Sequence, residues 1–379
     1  MDCRHYDAGR CRSCTWLPIP YADQLAAAER DCRELLGEDL DWRAPFASVE
    51  EGFRNKAKMV VTGSIEEPRL GILGEGATGV DLRDCGLHEP AIQAALPVLA
   101  GFVTRAALAP YDVAQRRGEL KFVLVTAAPS GDLMVRFVSR SQEPVTRIRK
   151  HLPWLLDALP GLRVVTVNVQ PEHKAVLEGE LEIVLTEHAA LALEVNGHTL
   201  LLRPQSFFQT NTAVAAGLYR EAAAWVDALG PASLWDLYCG VGGFALHLAA
   251  PHRTAIGVET SVEAIASARE TARRSGAAAE FVVGDATAFA TSAQELPDLV
   301  VVNPPRRGIG TELARWLQES GIRHVLYSSC NPASLASDLE AMPGLRVVRA
   351  RLFDMFPQTA HSELLVLLER HGDAVGSRP

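Results

Sequence analysis

From about residue 197 onward, the chain alternates short apolar segments with longer stretches at helical spacing. The apolar segments have the length of buried strands, and the stretches between them have the 3.6-residue periodicity of helices. Strands that alternate with helices in this way form βαβ units and a parallel sheet covered on both faces. The predicted strands are residues 234–237, 255–258, 280–283, 299–302 and 324–327. We therefore expect an α/β domain over residues 197–379, built on a Rossmann-like, doubly wound sheet.

The first half of the chain has a different pattern, in which short β segments pair locally. Residues 121–126 and 133–138 have the composition of strands, and the turn between them predicts a hairpin. Helical spacing occurs at residues 22–36, 91–108 and 145–158. We expect a β-rich α+β central domain over residues 91–196. Residues 1–90 would hold a cysteine-containing arm and the start of that central domain.

A glycine-rich turn follows the first predicted strand of the α/β region, in Asp236-Leu237-Tyr238-Cys239-Gly240-Val241-Gly242-Gly243-Phe244. Glycines such as Gly240 let the backbone turn sharply and approach a ligand closely. Glu259 ends the second strand, where a carboxylate can accept both ribose hydroxyls, and Asp285 follows the third strand, where it can meet an adenine edge. The turn predicts a nucleoside cofactor, but by itself it fits a dinucleotide as well as S-adenosylmethionine.

The segment Asn303-Pro304-Pro305 after the fourth strand favours methyl transfer over hydride transfer. Two prolines make a rigid loop that carries the Asn303 amide at its edge. Such a loop is typical of methyltransferases that act on planar nitrogen or carbon centres, and it has no role in hydride transfer. The next residue is Arg306 rather than an aromatic side chain, which disfavours methylation of an exocyclic amine.

A single cysteine, Cys330, follows the fifth strand at its carboxyl end, where active sites of α/β proteins gather. Carbon 5 of uracil is a poor nucleophile until a thiolate adds at carbon 6 and converts the ring into an enolate. The proton on carbon 5 must then leave to a base, for which a carboxylate is suited. Glu363, just before the last apolar segment, is the best candidate for that base.

Four of the seven cysteines form a candidate metal-binding set: Cys3, Cys11, Cys14 and Cys85. Four thiolates can hold either zinc or a [4Fe-4S] cluster, and their spacing does not separate the two. The spacing also lacks the C-x3-C-x2-C pattern of radical enzymes. Cys32 is left as a core residue.

The charge distribution leaves room for an RNA partner in an otherwise acidic chain. The net charge is -9, but residues 101–150 contain nine Lys or Arg against four Asp or Glu. A basic region of this kind can contact phosphates even in an acidic protein. The amino terminus has no apolar signal core, and no apolar run is long enough to span a membrane, so we expect a cytoplasmic protein. The sequence indicates no obligate protein partner.

Together these motifs resemble the RNA uracil-C5-methyltransferase family, the RumA/TrmA-like group of class I S-adenosylmethionine-dependent enzymes. The resemblance covers nearly the whole chain and is greatest to bacterial members that act on uracil-747 of 23S rRNA. Besides the motifs above, it includes the opening cysteine arm and the segments at residues 52–59, 203–211 and 353–357.

The resemblance implies a role for each candidate residue. The four cysteines would carry a [4Fe-4S] cluster, Cys330 would be the nucleophile and Glu363 the general base. The residues implied to contact S-adenosylmethionine are Gln209, Tyr238, Glu259 and Asn303. The partner would be 23S rRNA, presented as an unstacked uridine in a loop. Phosphate contacts would come from basic residues of the first half: Arg54, Lys56, Lys58, Arg116, Arg117, Lys121, Arg147, Arg149 and Lys150.

Several alternatives remain open at this point. The same chemistry could act on another rRNA or tRNA uridine, and a dehydrogenase could use the same glycine turn without any need for Cys330. A non-catalytic RNA-binding protein of ribosome assembly would need neither the thiol nor the cofactor. Methylation of an exocyclic amine is disfavoured by Arg306.

Overall fold

The computed structural model describes residues 1–173 and 178–371. Residues 372–379, a polar stretch predicted to form a frayed tail, lie outside the described residues. The chain divides into a first unit, formed by Met1–Cys14 and Val49–Glu194, and a second unit, formed by Thr15–Ser48 and Val195–Pro379. The functional boundaries predicted at residues 90 and 196 stay predictions.

The helices are α1 (Arg4–Asp7), α2 (Tyr21–Leu36), α3 (Pro90–Arg105), α4 (Val145–Ala158), α5 (Thr212–Leu229), α6 (Gly243–Leu248), α7 (Val262–Ser275), α8 (Ala286–Ser292), α9 (Gly310–Glu319) and α10 (Pro332–Glu340). The strands are β1 (Asp41–Phe46), β2 (Lys56–Gly63), β3 (Pro68–Leu73), β4 (Gly79–Asp81), β5 (Leu120–Ala127), β6 (Leu133–Ser139), β7 (Leu162–Val169), β8 (Leu181–Val184), β9 (Leu191–Val195), β10 (His198–Leu202), β11 (Ser233–Leu237), β12 (Thr254–Glu259), β13 (Ala279–Val283), β14 (Leu299–Val302), β15 (His324–Ser329), β16 (Leu345–Phe353) and β17 (Glu363–Arg370).

The second unit contains an eight-stranded sheet in the order β1-β16-β17-β15-β14-β11-β12-β13. The five strands predicted from the sequence are β11 to β15, and each pairs in parallel with its neighbour among these five. From β11 the order runs outward through β12 and β13 on one side and through β14 and β15 on the other, which is the doubly wound arrangement. The predicted α/β fold is confirmed.

The sheet is mixed rather than wholly parallel, because β17 runs antiparallel to both β15 and β16. The connection between β16 and β17 contains no helix, and a short connection of this kind joins antiparallel rather than parallel neighbours. The edge strand β1 comes from the amino-terminal part of the chain and pairs in parallel with β16. The sequence pattern predicted neither this strand nor its place in the sheet.

This topology gathers the candidate residues at one edge of the sheet. Parallel strands end at the same edge, so the segments after β11, β12, β13, β14 and β15 meet there. Glu363 is the first residue of β17, and Leu364 of that strand pairs with Ser329 at the end of β15. Because β17 is antiparallel, its beginning lies at the edge where β15 ends. The turn after β11 lies where the strand order reverses, the usual ligand site of such sheets.

The first unit is built on a seven-stranded sheet in the order β4-β3-β2-β5-β6-β7-β8. All its neighbours are antiparallel except β6 and β7, which are joined through α4. Alternate residues of β2, β5, β6 and β7 pack with α3 and α4 in one buried core. The predicted hairpin of β5 and β6 is present. Within residues 1–173 and 178–371, none of the helices combines the length and the apolar character needed to cross a membrane.

Candidate active site

A cavity of about 600 Å³ opens at the carboxyl edge of the parallel strands in the second unit. Its wall contains all eight residues predicted to bind the cofactor or to act in catalysis: Gln209, Tyr238, Gly240, Glu259, Asp285, Asn303, Cys330 and Glu363. These residues come from seven separate parts of the sequence, and the sheet brings them together. The roles of the individual residues stay predictions.

The turn after β11 has a backbone that side chains disfavour. Tyr238 has a φ of 71°, and Gly242 has a φ of 86°. A Cβ atom on Gly242 would lie 2.8 Å from Cζ of Phe281, and one on Gly243 would lie 2.4 Å from the Tyr219 hydroxyl oxygen. Both glycines are therefore favoured by packing within the protein itself.

Asp236 supports this turn from the buried end of β11. Its Oδ2 accepts a hydrogen bond of 2.9 Å from the backbone N–H of Ala245 in α6. Within the described residues its Oδ1 has no hydrogen-bond partner, and burial raises the pKa of Asp236 to about 7. The carboxyl group thus ties the strand to the helix that follows the turn.

The two acidic residues expected at the cofactor have local partners in the protein. One oxygen of Glu259 accepts hydrogen bonds of 2.9 Å from the backbone N–H of Ser261 and from the Thr260 hydroxyl. Asp285 is the N-cap of α8, with Oδ1 accepting from the backbone N–H of Ala288 at 2.9 Å. These contacts engage one oxygen of each carboxylate and orient both side chains at the rim of the cavity.

Cys330 lies between the last residue of β15 and the N-cap of α10, in a turn held by neighbouring side chains. The backbone N–H of Asn331 donates to the Ser329 hydroxyl at 3.1 Å. The Asn331 side-chain amide and the Ser334 hydroxyl both donate to the backbone carbonyl of Arg306, at 2.9 and 2.6 Å. The loop that begins at Asn303 is therefore fastened to the start of α10, directly beside the cysteine.

The surroundings of the Cys330 thiol shift its pKa in opposite directions. Burial raises its pKa, and the nearby Glu363 carboxylate raises it further. The Arg306 guanidinium, which donates a hydrogen bond to the sulfur, lowers it. A position next to a helix amino terminus also favours a thiolate. Arg306 was considered in the sequence only as evidence against amine methylation, and its contact with the thiol was missed.

Glu363 is a buried carboxyl group with a single hydrogen bond. Burial raises its pKa to about 7, and a hydrogen bond from the Ser328 hydroxyl to Oε1 opposes that rise. Its Oε2 is buried and, among the residues that the structure describes, has no hydrogen-bond partner. A carboxyl group that titrates near neutrality is well matched to accepting a proton at physiological pH.

The cavity wall contains aromatic residues that were not predicted as site residues, among them Phe207 and Tyr219. Phe207 is 64% exposed although it is a large apolar side chain, and Tyr219 of α5 is buried with its ring stacked on His247. Phe207 lies in the segment between β10 and α5, which has no regular periodicity, and the helical periodicity around Tyr219 does not reveal which residue faces a cavity. The only sequence signal was the position of Phe207 two residues before Gln209.

The four candidate metal-binding cysteines all belong to the first unit, and none forms a disulfide. Burial raises the pKa of Cys14 to about 12, and the charges of Cys85, Cys11 and Cys3 contribute to that rise, so these thiols are neighbours. Across residues 1–173 and 178–371, no group of three or more His, Cys, Asp or Glu side chains is arranged to hold a metal ion. In chemistry, four thiols are a donor set that suits either zinc or an iron–sulfur cluster. Cys32 is buried in the core of the second unit, as predicted.

The predicted phosphate contacts differ in their environments. Arg116, Arg117, Arg149, Lys150 and Lys58 are exposed. The sequence-based expectation is wrong for Lys121, which is buried and donates to backbone carbonyls of Gln170 and Glu172 at 2.7 Å each. These internal hydrogen bonds occupy the ammonium group of Lys121, which is therefore not free to contact phosphate.

Arg54 and Lys56 are also shielded from solvent to a large extent. Burial lowers the pKa of both side chains. The charges of Cys85 and Cys14 act on Arg54, so its guanidinium is close to the cysteine set. Of the three basic residues at positions 54, 56 and 58, Lys58 alone is exposed.

Comparisons with known proteins agree with this site. Residues 292–371 match the family described as tRNA (Uracil-5-)-methyltransferase, and residues 235–321 match the family described as methyltransferase domain. The 23S rRNA (uracil(747)-C(5))-methyltransferase RlmC of Shigella boydii serotype 4 is 50% identical over 372 residues, which are 97% of this chain and 99% of the relative. The protein of the same name from Escherichia coli O139:H28 has the same identity and coverage.

A solved structure has a similar fold. The tRNA (uracil-54, C5)-methyltransferase of Pyrococcus abyssi, in complex with S-adenosyl-L-homocysteine, superposes with a TM-score of 0.79 at 23% identity. The match covers 94% of this chain and 85% of the other. Both units of this chain therefore follow a fold already seen in an enzyme of uracil methylation.

Proposed function

The chain belongs to the family of 23S rRNA uracil-C5-methyltransferases, and we propose that it methylates carbon 5 of uracil-747 in 23S rRNA. It is an S-adenosylmethionine-dependent methyltransferase, as its curated relatives at 50% identity indicate. The observation that supports the mechanism best is a single cavity wall that contains the glycine turn, Cys330 and Glu363. A dehydrogenase or a non-catalytic RNA-binding protein would need no such combination.

The first step assigned to the protein is addition of the Cys330 thiolate to carbon 6 of uracil. The new bond uses the sulfur electron pair, and the electrons of the C5=C6 bond move onto the ring as an enolate. Arg306 and the start of α10 favour the thiolate form needed for this step. S-adenosylmethionine, when bound, would supply an electrophilic methyl group for carbon 5 and would leave as S-adenosylhomocysteine.

The second step assigned to the protein restores the aromatic ring. The Glu363 carboxylate removes the proton from carbon 5, and the C–H electrons re-form the C5=C6 bond. The C6–S bond breaks with its electron pair on sulfur, which returns Cys330 as a thiolate. Glu363 then carries one proton, which it must release to solvent before the next turnover.

The remaining residues of the cavity wall would bind the cofactor. Gly240 and its neighbours give the backbone its close approach, and Glu259 is suited to the ribose hydroxyls. Asp285 is suited to the adenine edge, and Gln209, Tyr238 and Asn303 complete the contacts. All six line the cavity, which supports this assignment.

We assign the cysteines of the first unit to a [4Fe-4S] cluster, held by Cys3, Cys11, Cys14 and Cys85. The mutual influence of these thiols on the pKa of Cys14 and their freedom from disulfides support the assignment. The cluster would stabilise the amino-terminal arm and position RNA, because methyl transfer requires no electron. The nearby Arg54 guanidinium would offset part of its negative charge.

The RNA substrate would be an unstacked uridine in a loop. A base within a stacked duplex cannot reach a thiol at the bottom of a cavity, so it has to be extruded. Exposed Phe207 offers an aromatic face on which a base can stack, and exposed basic residues of the first unit, such as Arg116 and Lys150, suit phosphates. Such a substrate implies a cytoplasmic location, and the reaction calls for no further protein partner.

The test is methylation of unmodified 23S rRNA by the pure protein with labelled S-adenosylmethionine, followed by mapping of the methyl group. We expect label on carbon 5 of uracil-747, and none with Cys330→Ala. Label on another uridine of rRNA or tRNA would correct the target, whereas label on an exocyclic amine would refute the mechanism. Full activity of Cys330→Ala would also refute it.

A further inference from the structure

Among the described residues, the proposed base has one hydrogen-bond donor, which comes from the neighbouring strand. Ser328 in β15 is fully buried, and its hydroxyl donates to Oε1 of Glu363 in β17. The two strands are adjacent and antiparallel, with Ser328 opposite Leu365 and Ser329 opposite Leu364. The hydrogen bond therefore joins two parts of the sheet core that have little freedom to move apart.

The hydrogen bond distinguishes the two oxygens of the carboxyl group. Oε1 is occupied by the serine hydroxyl, whereas Oε2 is buried without a hydrogen-bond partner in the described parts of the chain. An unsatisfied carboxylate oxygen inside a protein is costly, and such groups are retained where they have a function. Glu363 lines the cavity, so Oε2 is the oxygen left to accept a proton.

The titratable groups around Glu363 make the hydrogen bond from Ser328 important for the ionisation of its carboxyl group. Two titratable groups among those that the structure describes interact with Glu363: Cys330, directly after β15, and Tyr219, on α5. In the free enzyme, a thiolate at Cys330 repels a carboxylate at Glu363. The repulsion ends once the sulfur is bonded to carbon 6, and Glu363 must be ionised when it then removes the proton. The Ser328 hydroxyl is the group that favours the ionised carboxylate.

We propose that Ser328 is a positioning residue for the reaction, whose hydroxyl holds Oε1 of Glu363 so that Oε2 is ready to take the proton from carbon 5 of uracil. This inference rests on the proposed function. The step that it assists transfers one proton from carbon 5 to Oε2, re-forms the C5=C6 bond and releases sulfur from carbon 6. Ser328 itself neither gains nor loses a proton overall.

The experiment compares Ser328→Ala, Ser328→Thr and Ser328→Cys with the unaltered full-length protein. The substrate is 23S rRNA transcribed with uridine tritiated at carbon 5, and the readout is the rate of tritium release across pH. Ser267→Ala removes another buried serine hydroxyl, on α7 and away from the cavity, and is the matched control. Thermal unfolding and S-adenosylhomocysteine binding are measured for every variant.

Loss of the hydroxyl should disfavour the charged carboxylate, so Ser328→Ala should move the acidic limb of the rate profile to higher pH. A hydrogen bond to a charged group predicts a shift of about one pH unit and a loss of about tenfold in rate near neutrality. Slower proton removal should also let the methylated Cys330–RNA adduct accumulate on a denaturing gel. Ser328→Thr should restore the profile, and Ser328→Cys, a weaker donor of similar size, should fall between.

An unchanged pH midpoint in Ser328→Ala, or a Ser328→Thr variant as impaired as Ser328→Ala, would overturn the positioning role. A shift as large in Ser267→Ala would overturn it as well. If Ser328→Ala does not fold, the Thr and Cys variants still decide the question. Failure of the unaltered protein to release tritium would instead count against the proposed function.

Discussion

At the scale of single residues, Cys330 and Glu363 oppose each other's ionisation in one cavity. Both lie in a poorly solvated site, and each is more useful when ionised, although the negative charge of one opposes that of the other. Arg306 assists the thiol and Ser328 assists the carboxyl group. Two neighbouring residues that take no part in the chemical steps thus favour the ionised forms of the thiol and the carboxyl group.

We predict that Arg306→Gln raises the pH at which Cys330 becomes reactive. Removal of the guanidinium leaves burial and Glu363 to raise the pKa of the thiol. Alkylation of Cys330 by iodoacetamide near neutral pH should slow by on the order of 3–10-fold, measured by mass spectrometry of its peptide. Arg315→Gln, at an exposed arginine of α9, should leave the reaction rate unchanged. An unaltered pH midpoint in Arg306→Gln would argue against the contact.

We also predict that Glu363→Gln stabilises the protein above neutral pH. In the unfolded chain the carboxyl group ionises near 4.5, whereas in the folded protein its pKa is about 7. The folded state therefore keeps its proton to a higher pH than the unfolded chain does. As the pH rises from 4.5 to 7, the free energy of unfolding falls by about 3 kcal/mol in total. The side-chain amide of the Glu363→Gln variant does not ionise, so this variant does not lose stability in the same way.

The check is thermal unfolding of both proteins at pH 5 and pH 8. The advantage of Glu363→Gln over the unaltered protein should be larger at pH 8 than at pH 5. Glu312→Gln, at an exposed glutamate, should show no such difference. An advantage that is constant with pH would indicate a packing effect instead.

At the scale of elements, the turn between β11 and α6 matters most. It joins a buried strand to a short helix through residues with positive φ, and Phe281 of β13, the strand beyond β12, packs against it. The turn is therefore fixed by the sheet before any ligand arrives. A preformed turn lowers the ordering cost of binding a nucleoside.

We predict that Gly242→Ala destabilises the second unit by about 1–3 kcal/mol and weakens binding of S-adenosylhomocysteine. The added Cβ would meet both a disfavoured φ and the Phe281 ring at 2.8 Å. Gly276→Ala is the matched control, because its φ is also positive, at 68°, but its Cβ would meet no atom within 4 Å. Thermal unfolding and calorimetric titration measure both effects. Equal losses in the two variants would show that backbone strain alone is responsible.

At the scale of the whole molecule, the candidate cofactor site and the cysteine set belong to different units. Every residue that lines the cavity is in the second unit, and Cys3, Cys11, Cys14 and Cys85 are in the first. The second unit also includes Thr15–Ser48, a segment that lies in sequence between the two segments of the first unit. The two functions can therefore be disturbed separately.

We predict that Cys85→Ser removes the cluster but spares cofactor binding. The purified protein should lose its brown colour and its iron, and methylation of rRNA should fall at least tenfold because the RNA is no longer well positioned. Binding of S-adenosylhomocysteine should stay within about twofold, since none of its proposed contacts is in the first unit. Cys32→Ser, at a core cysteine of the second unit, should keep the iron. A colourless, zinc-containing unaltered protein would refute the cluster.

Much of the second unit could be predicted because its local patterns agree with its tertiary structure. The predicted strand at residues 299–302 has the bounds of β14, and all eight candidate site residues lie in one cavity. Strands β11, β14 and β15 are almost wholly buried, so their residues do not alternate, and their short apolar runs were enough to identify them. Strand β1 was not predicted, because its burial is partial and its partner β16 is some 300 residues away in sequence.

The sequence by itself determined the type of chemistry, since a glycine turn, an Asn-Pro-Pro loop and a cysteine at strand ends are local features whose meaning depends on residue type. Only the tertiary structure decided which charges act on the reactive groups. Ser328 reaches Glu363 across a strand pair, Arg306 reaches Cys330 from another loop, and Lys121 is buried rather than exposed. The physical reason is that hydrogen bonding and desolvation depend on distance and burial in space, and spacing along the chain carries no measure of either.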